Sequence, residues 1–210
     1  MSKRLMVGAG LGLILSAVVA QAAPITTPPQ VLSAIGDVTA VYVFADAGDT
    51  SILNELTPVA INQIFCNHST GSCTGANPGD TAPLGFQTGI MTFSLHNVTS
   101  GTTFFSDLPD SDGNYHVKIS DDYADFGQGA LPAAANTVIG GLISSGMSVT
   151  YVGWEDWTAG QGSDFDYNDL IFAFANTTTR NVPEPLSLSV MSVGLAGAAW
   201  AKRRKNKKKA

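Results

Sequence analysis

Between Gly153 and Phe174 the chain reads GWEDWTAGQGSDFDYNDLIFAF, and it carries Glu155, Asp156, Asp164, Asp166 and Asp169 in quick succession. Carboxylates this close repel one another, and the repulsion grows where apolar neighbours lower the local dielectric. Hard oxygen ligands in this number suit Ca2+, which takes six to eight oxygens at about 2.3–2.6 Å. They do not suit zinc, because no His/Cys set accompanies them. In an extended backbone residues two apart share a face, so Asp164, Asp166 and Asn168 fall on one side and lead into Leu170, Phe172 and Phe174. Glu155 and Asp156 reach the same mouth if the flanking strands pair as a hairpin through TAGQGS. The expected metal set is therefore Glu155, Asp156, Asp164, Asp166, Asn168 and Asp169, with a solvated acidic hairpin as the plainer alternative.

The pattern is not an EF-hand. Asp164, Asp166 and Asn168 occupy its first three ligand positions, but Asp169 replaces the required Gly and Ala175 stands at position twelve. A second acidic stretch, DSDGNYHVKISDDYADFG, offers Asp110, Asp112, Asn114 and Asp121 as a further metal set, and it too lacks the Gly at position six. A solvated turn is the plainer reading there. The three histidines, His68, His96 and His116, lie in unrelated segments and read as surface residues rather than as catalytic groups. No Ser/His/Asp or Cys/His arrangement stands out.

The elements that must position these carboxylates are short strands. Val38–Phe44, Met91–Asn97, Tyr115–Ile119, Val149–Trp154 and Leu170–Phe174 are β-branched, aromatic or alternating, and turn residues bound them. Their number predicts an all-β fold, a single β-sandwich of jelly-roll-like form over residues 23–178. Pro58 and the pair Gly140-Gly141 are expected to interrupt the only plausible helices, around Ile52–Phe65 and Ala134–Ile143. Cys66 and Cys73, in CNHSTGSC, are the two cysteines of the chain, and in an oxidising compartment they are expected to form a disulfide.

The two ends carry different information. Lys3 and Arg4, an apolar stretch from Leu5 to Ala20 and the small-x-small site Ala20-Gln21-Ala22 describe a signal peptide over residues 1–22, cut between Ala22 and Ala23. This implies the Sec export machinery as a partner. At the other end an apolar run, 186–201, spans roughly 24 Å at 1.5 Å per residue and is followed by seven basic residues within 202–209. Basic residues stay on the cytoplasmic side, so the body would lie outside. Between Ala23 and Val182 stand sixteen of the seventeen acidic residues and two of the eleven basic ones, Lys118 and Arg180, leaving a net charge of −14. Such a field excludes nucleic acid and anionic lipid as partners of the body and favours cations.

Residues 179–210, with Val182-Pro183-Glu184-Pro185, the apolar run and the Arg/Lys cluster in that order, resemble the PEP-CTERM sorting signal of Gram-negative bacteria. The resemblance implies recognition by an exosortase, transient insertion in the inner membrane, removal of the tail near Pro183, Glu184 and Pro185, and delivery to the cell surface. It also implies association with exopolysaccharide and biofilm. GWEDW…SDFDYNDLIFAF, with VYVFADAGDTSILNEL and GIMTFSL, is similar to the domain of unknown function 4114, an acidic bacterial domain that often precedes such signals. Glu155, Asp156, Asp164, Asp166, Tyr167, Asn168 and Asp169 match its acidic motif, while Phe165 stands where a charged residue is frequent. That resemblance implies either metal binding or an enzymatic role for the acidic residues.

Three functions are thus in play. The first is a non-enzymatic surface or matrix protein locked by Ca2+. The second is a glycan hydrolase with two carboxylates as acid and base. The third is an adhesin that stacks sugars on Trp154, Trp157 and Tyr167.

Overall fold

The computed structural model describes residues 22–71 and 73–181. The signal segment 1–21, the sorting motif 183–185, the apolar run 186–201 and the basic tail lie outside the described residues. Among the described residues no helix is long and apolar enough to cross a membrane.

The chain is all-β and antiparallel, as the strand pattern predicts. Eight strands form in the order β1 (Val31–Ala45), β2 (Ser51–Thr57), β3 (Ile61–Cys66), β4 (Thr81–Asn97), β5 (Thr102–Phe105), β6 (Val117–Ser120), β7 (Val149–Trp154) and β8 (Leu170–Arg180). One hydrogen-bonded path connects them, β3-β2-β4-β1-β8-β7-β6, with β5 added beside β4. The long strand β4 joins the two halves. Its residues Thr81–Met91 pair with β1, and Thr92–Asn97 pair with β2 on one side while Ser94–Asn97 pair with β5.

The sheet folds over at β4 so that its two halves share one core. Phe65 of β3 stacks on Phe172 of β8 with ring centroids 5.9 Å apart, and Phe93 of β4 lies 4.8 Å from Phe174. Such pairs add to the area they bury. Strand alternation sets this core: Leu32, Ala34, Val38, Ala40 and Tyr42 of β1 face it. The odd-numbered Val41 and Val43 face the other way, onto a second cluster with Ala135, Ile139, Phe126, Phe165, Tyr167, Ile171 and Ala173.

That second cluster corrects two sequence expectations. Residues Ala133–Ser144 form a helix, α1, straight through Gly140-Gly141. Each Gly costs a helix about 1 kcal/mol, but burial of Ala135 and Ile139 against the sheet outweighs a penalty taken at exposed positions. Nothing stands within 4 Å of a Cβ at either glycine. Gly140→Ala and Gly141→Ala should therefore each stabilise the fold by about 0.5–1 kcal/mol, read as a rise in melting temperature of a few degrees. A fall in melting temperature for both would contradict this account of the helix. The β-domain also runs past its expected end at residue 178, because Thr177–Arg180 continue β8 and pair with Val31–Ala34. A run of β-branched Thr fits a pleated strand.

The region Ile52–Phe65 is a hairpin of β2 and β3 turning at residues 58–60. Cys66, at the end of β3, is joined to Cys73. The predicted strands at 38–44, 91–97, 149–154 and 170–174 all lie within observed ones, while Tyr115 precedes β6 and forms an isolated bridge with Ile25.

Candidate metal centre

The hairpin that the acidic stretch requires is present. β7 and β8 pair in register from Val149↔Ala175 to Trp154↔Leu170, so Glu155 and Asp156 leave the sheet beside the residues that enter it. The connection is not extended. Thr158 caps a short 3-10 turn at Ala159–Gln161, and Phe165 and Tyr167 take positive φ angles of 56° and 62°. Both aromatic side chains are nonetheless buried, with Asp164, Asp166 and Asn168 turned the other way. The alternation inferred from the sequence survives in a coiled loop because two large rings are pinned in the second core cluster.

Three of the six expected ligands come together. One carboxylate oxygen each from Glu155, Asp164 and Asp166 lies within 4.8 Å of the others, close enough to hold a metal ion. Glu155 is 1% exposed, and it accepts hydrogen bonds from the Ser163 hydroxyl and from the backbone N–H of Tyr167. Burial pushes its carboxyl up, with Asp164 and Asp166 adding to the rise. Asp166 is raised by burial and by Asp164. Asp166 also accepts from the backbone N–H and the side-chain amide of Asn168, so Asn168 supports the ligand instead of joining the set.

Asp156 and Asp169 turn to a different task. Asp169 accepts from the backbone N–H of Asp156 at 2.9 Å, and its own carbonyl accepts from Asp46 N–H at 3.0 Å. Asp156 accepts from the Ser51 hydroxyl at 3.1 Å, and its carbonyl accepts from the Asn97 amide at 2.9 Å. Burial raises both acids, with Asp169 pushed up to about 8. Together they tie the ends of β1, β2, β4 and β8 across the mouth of the folded sheet.

Asp49, which sequence reasoning passed over, completes this second group. Its carboxylate accepts from the Asn97 amide and from the Trp157 indole, each at 2.9 Å. Its carbonyl accepts from Asn67 at 2.7 Å. The signal was available in DAGDT, an acid pair directly after a strand, which places oxygens at the same end of the sheet as Glu155. A cleft of about 220 Å³ is lined by carboxylates of both groups, Asp46, Asp156 and Asp169 together with Glu155 and Asp164.

The second predicted metal set does not assemble. Asp110 folds its own turn, accepting from the N–H groups of Asp112 and Asn114, and it meets His116 at 2.7 Å. Asp121 follows β6 at its far end, where it accepts from the hydroxyls of Thr150 and Thr179. The EF-hand spacing had presumed a loop, and β6 instead draws that segment straight. His116 is also corrected. It is buried rather than a surface residue, packed against Phe104 with centroids 4.1 Å apart, and its carbonyl accepts from Glu155 N–H at 2.9 Å. Burial lowers its proton affinity despite Asp110.

Gly153 is the residue that lets the site form. A Cβ there would stand 2.2 Å from the Tyr167 carbonyl oxygen and 2.5 Å from two ring carbons of Phe126. The metal-side loop lies directly on the bare backbone of β7. A Gly inside a strand is the known sign of such an approach.

Comparison with protein-family models, curated proteins and solved structures finds no match for this chain. The site therefore has to be read from its own chemistry. Three carboxylates, one of them almost wholly buried, form a donor set of hard oxygens that fits an oxygen-seeking cation.

Proposed function

We propose that this is an exported surface or matrix protein whose jelly-roll-like sandwich is locked by Ca2+ at Glu155, Asp164 and Asp166. The convergence of these three carboxylates, with Glu155 buried, is the observation that carries the reading. An ion there would hold the loop after β7 to the start of β8. It would also neutralise charge that Lys118 and Arg180 are too few to offset in a body of net charge −14. The resemblances of the two ends support export, passage through the inner membrane, exosortase processing and a place beside exopolysaccharide.

An extracellular site works at a dissociation constant of roughly 10⁻⁴–10⁻³ M. At ten times that constant, an ion binding only the folded state adds about 1.4 kcal/mol. Millimolar Ca2+ should raise the melting temperature by several degrees, chelator should reverse it, and Asp166→Ala should remove most of the difference. An unchanged wild-type melting temperature in millimolar Ca2+ would sink the calcium reading.

Two observations weigh against the other functions. Both oxygens of Glu155 are engaged by Ser163 and Tyr167, which leaves a general acid little approach to a glycosidic oxygen. Trp154 and Tyr167 are buried, which removes two of the three aromatic residues expected to stack on sugars; Trp157 alone is exposed, at 41%.

A further inference from the structure

α1 covers only part of the outer side of the sheet. It packs over Val41 and Val43, whereas Ile35 and Asp37 share that side further along β1. Across β4, the register sets Asp37 opposite Phe86, Ile35 opposite Thr88 and Ser33 opposite Ile90. Ile35 therefore sits diagonally between Phe86 and Ile90, within reach of both. The three are 52%, 72% and 52% exposed. Single exposed apolar residues need no explanation, but three large ones in adjoining positions mark a surface that something covers.

The chain leaves the sheet beside this patch. Thr178 pairs with Ser33, whose partner on β4 is Ile90, and Arg180 pairs with Val31. Asn181 accepts from the Gln30 amide at 3.3 Å. The apolar run begins at Leu186, and five residues reach at most about 17 Å. After it come the seven basic residues, and an acid borders the patch to meet them. Asp37 lies opposite Phe86, on the same side of the sheet as Ile35.

We propose that, away from a bilayer, the C-terminal segment 186–209 covers this patch. Its apolar run lies on Ile35, Phe86 and Ile90, and its basic residues lie toward Asp37. A short tether gives the segment an effective concentration in the millimolar range, well above that of a second copy in dilute solution. Opposite charge on tail and body adds a salt-sensitive attraction. The proposal does not depend on calcium at the mouth, which lies at the opposite end of β8.

The test is zero-length carbodiimide cross-linking of the full chain, at a concentration where it sediments as a monomer, with the linked peptides mapped by mass spectrometry. Links should join Lys202, Lys205 or Lys207–Lys209 to Asp37 within one chain. They should fall at least fivefold in the double variant Phe86→Ser, Ile90→Ser. Both substitutions are at exposed positions, and an unchanged melting temperature confirms that the variant is folded. A single Phe86→Leu change, which keeps the apolar surface, should retain the links. Links only between chains of a dimer would overturn the proposal in favour of a second copy. Backbone amides 85–90 that gain exchange protection only with zwitterionic vesicles would overturn it in favour of the bilayer. Intrachain links equally strong in the double variant would leave only charge attraction and would also overturn it.

Discussion

Gly153→Ala should cost the domain about 3 kcal/mol or more, a fall in melting temperature of roughly 6–12 °C for a chain of this size. Its Cβ meets a backbone oxygen and a fully buried ring, and neither can swing aside. The loop 163–167 would have to lift from β7, and with it the N–H of Tyr167 that holds Glu155. Calcium-dependent stabilisation should be lost along with stability. Gly129→Ala, with nothing within 4 Å of its Cβ, is the control and should change little. A Gly153→Ala melting temperature within two degrees of the wild type would mean that Tyr167 does not lie where it is described.

The metal-free protein should lose stability as pH rises from 5 to 8. Glu55, Glu155, Asp156, Asp166 and Asp169 all have carboxyls raised above the ordinary range, chiefly by burial, with Asp169 pushed up to about 8. The folded state thus keeps protons that the unfolded chain releases near pH 4. Their stabilising contribution is full below that unfolded value and is lost as pH climbs through the folded ones. Each tenfold gain in proton affinity is worth about 1.4 kcal/mol, which makes Asp169 the largest single contributor. Asp110 runs the other way: its hydrogen bonds from Asn114, His116 and Asp112 outweigh burial and lower its carboxyl, so acid below about pH 4 removes its support.

Calcium at the proposed site would compete with the protons of Glu155 and Asp166, so its effect on melting should grow between pH 5 and 8, and binding should release protons into a weak buffer. Asp169→Asn should flatten the metal-free profile between pH 6 and 8. Thermal melts across this range, with chelator and with calcium, decide the matter. A metal-free protein that is more stable at pH 8 than at pH 5 would refute the assignment of proton-holding acids at the mouth.

The sequence made the scaffold of the site legible where strand periodicity and chemistry agreed. Val149–Trp154 and Leu170–Phe174 are rich in β-branched and aromatic residues, and a polar loop of hairpin length separates them, so Glu155 could be placed beside Asp164 and Asp166. What stayed hidden depended on contacts far apart in the chain. Asp156 and Asp169 look no different in sequence from Glu155, Asp164 and Asp166, and Ser51 and Asn97, brought in by β2 and β4, hold Asp156 at the sheet ends. Glu55 sits inside a strand with ordinary alternation, yet it is 1% exposed and accepts from the Gln87 amide across the fold. Burial of His116 comes from Phe104 and Phe165, neither of which its neighbours in sequence suggest. The helix through Gly140-Gly141 was missed because propensity is local and the apolar seat for Ala135 and Ile139 is not.

The strand order also has a bearing on how the molecule is made. β8, the last strand synthesised, lies in the middle of the sheet between β1 and β7. Until it arrives, β3-β2-β4-β1 and β7-β6 are two separate ribbons with no hydrogen bonds between them. The first strand pairs early with β4 but must wait for its second partner about 140 residues later, and pairing over such separations is slow. A chain emerging from its N-terminus therefore has no complete domain to close until nearly all of it has been delivered. That keeps it threadable throughout its synthesis and makes folding a single late event, in which the final strand completes both the sheet and the acidic mouth.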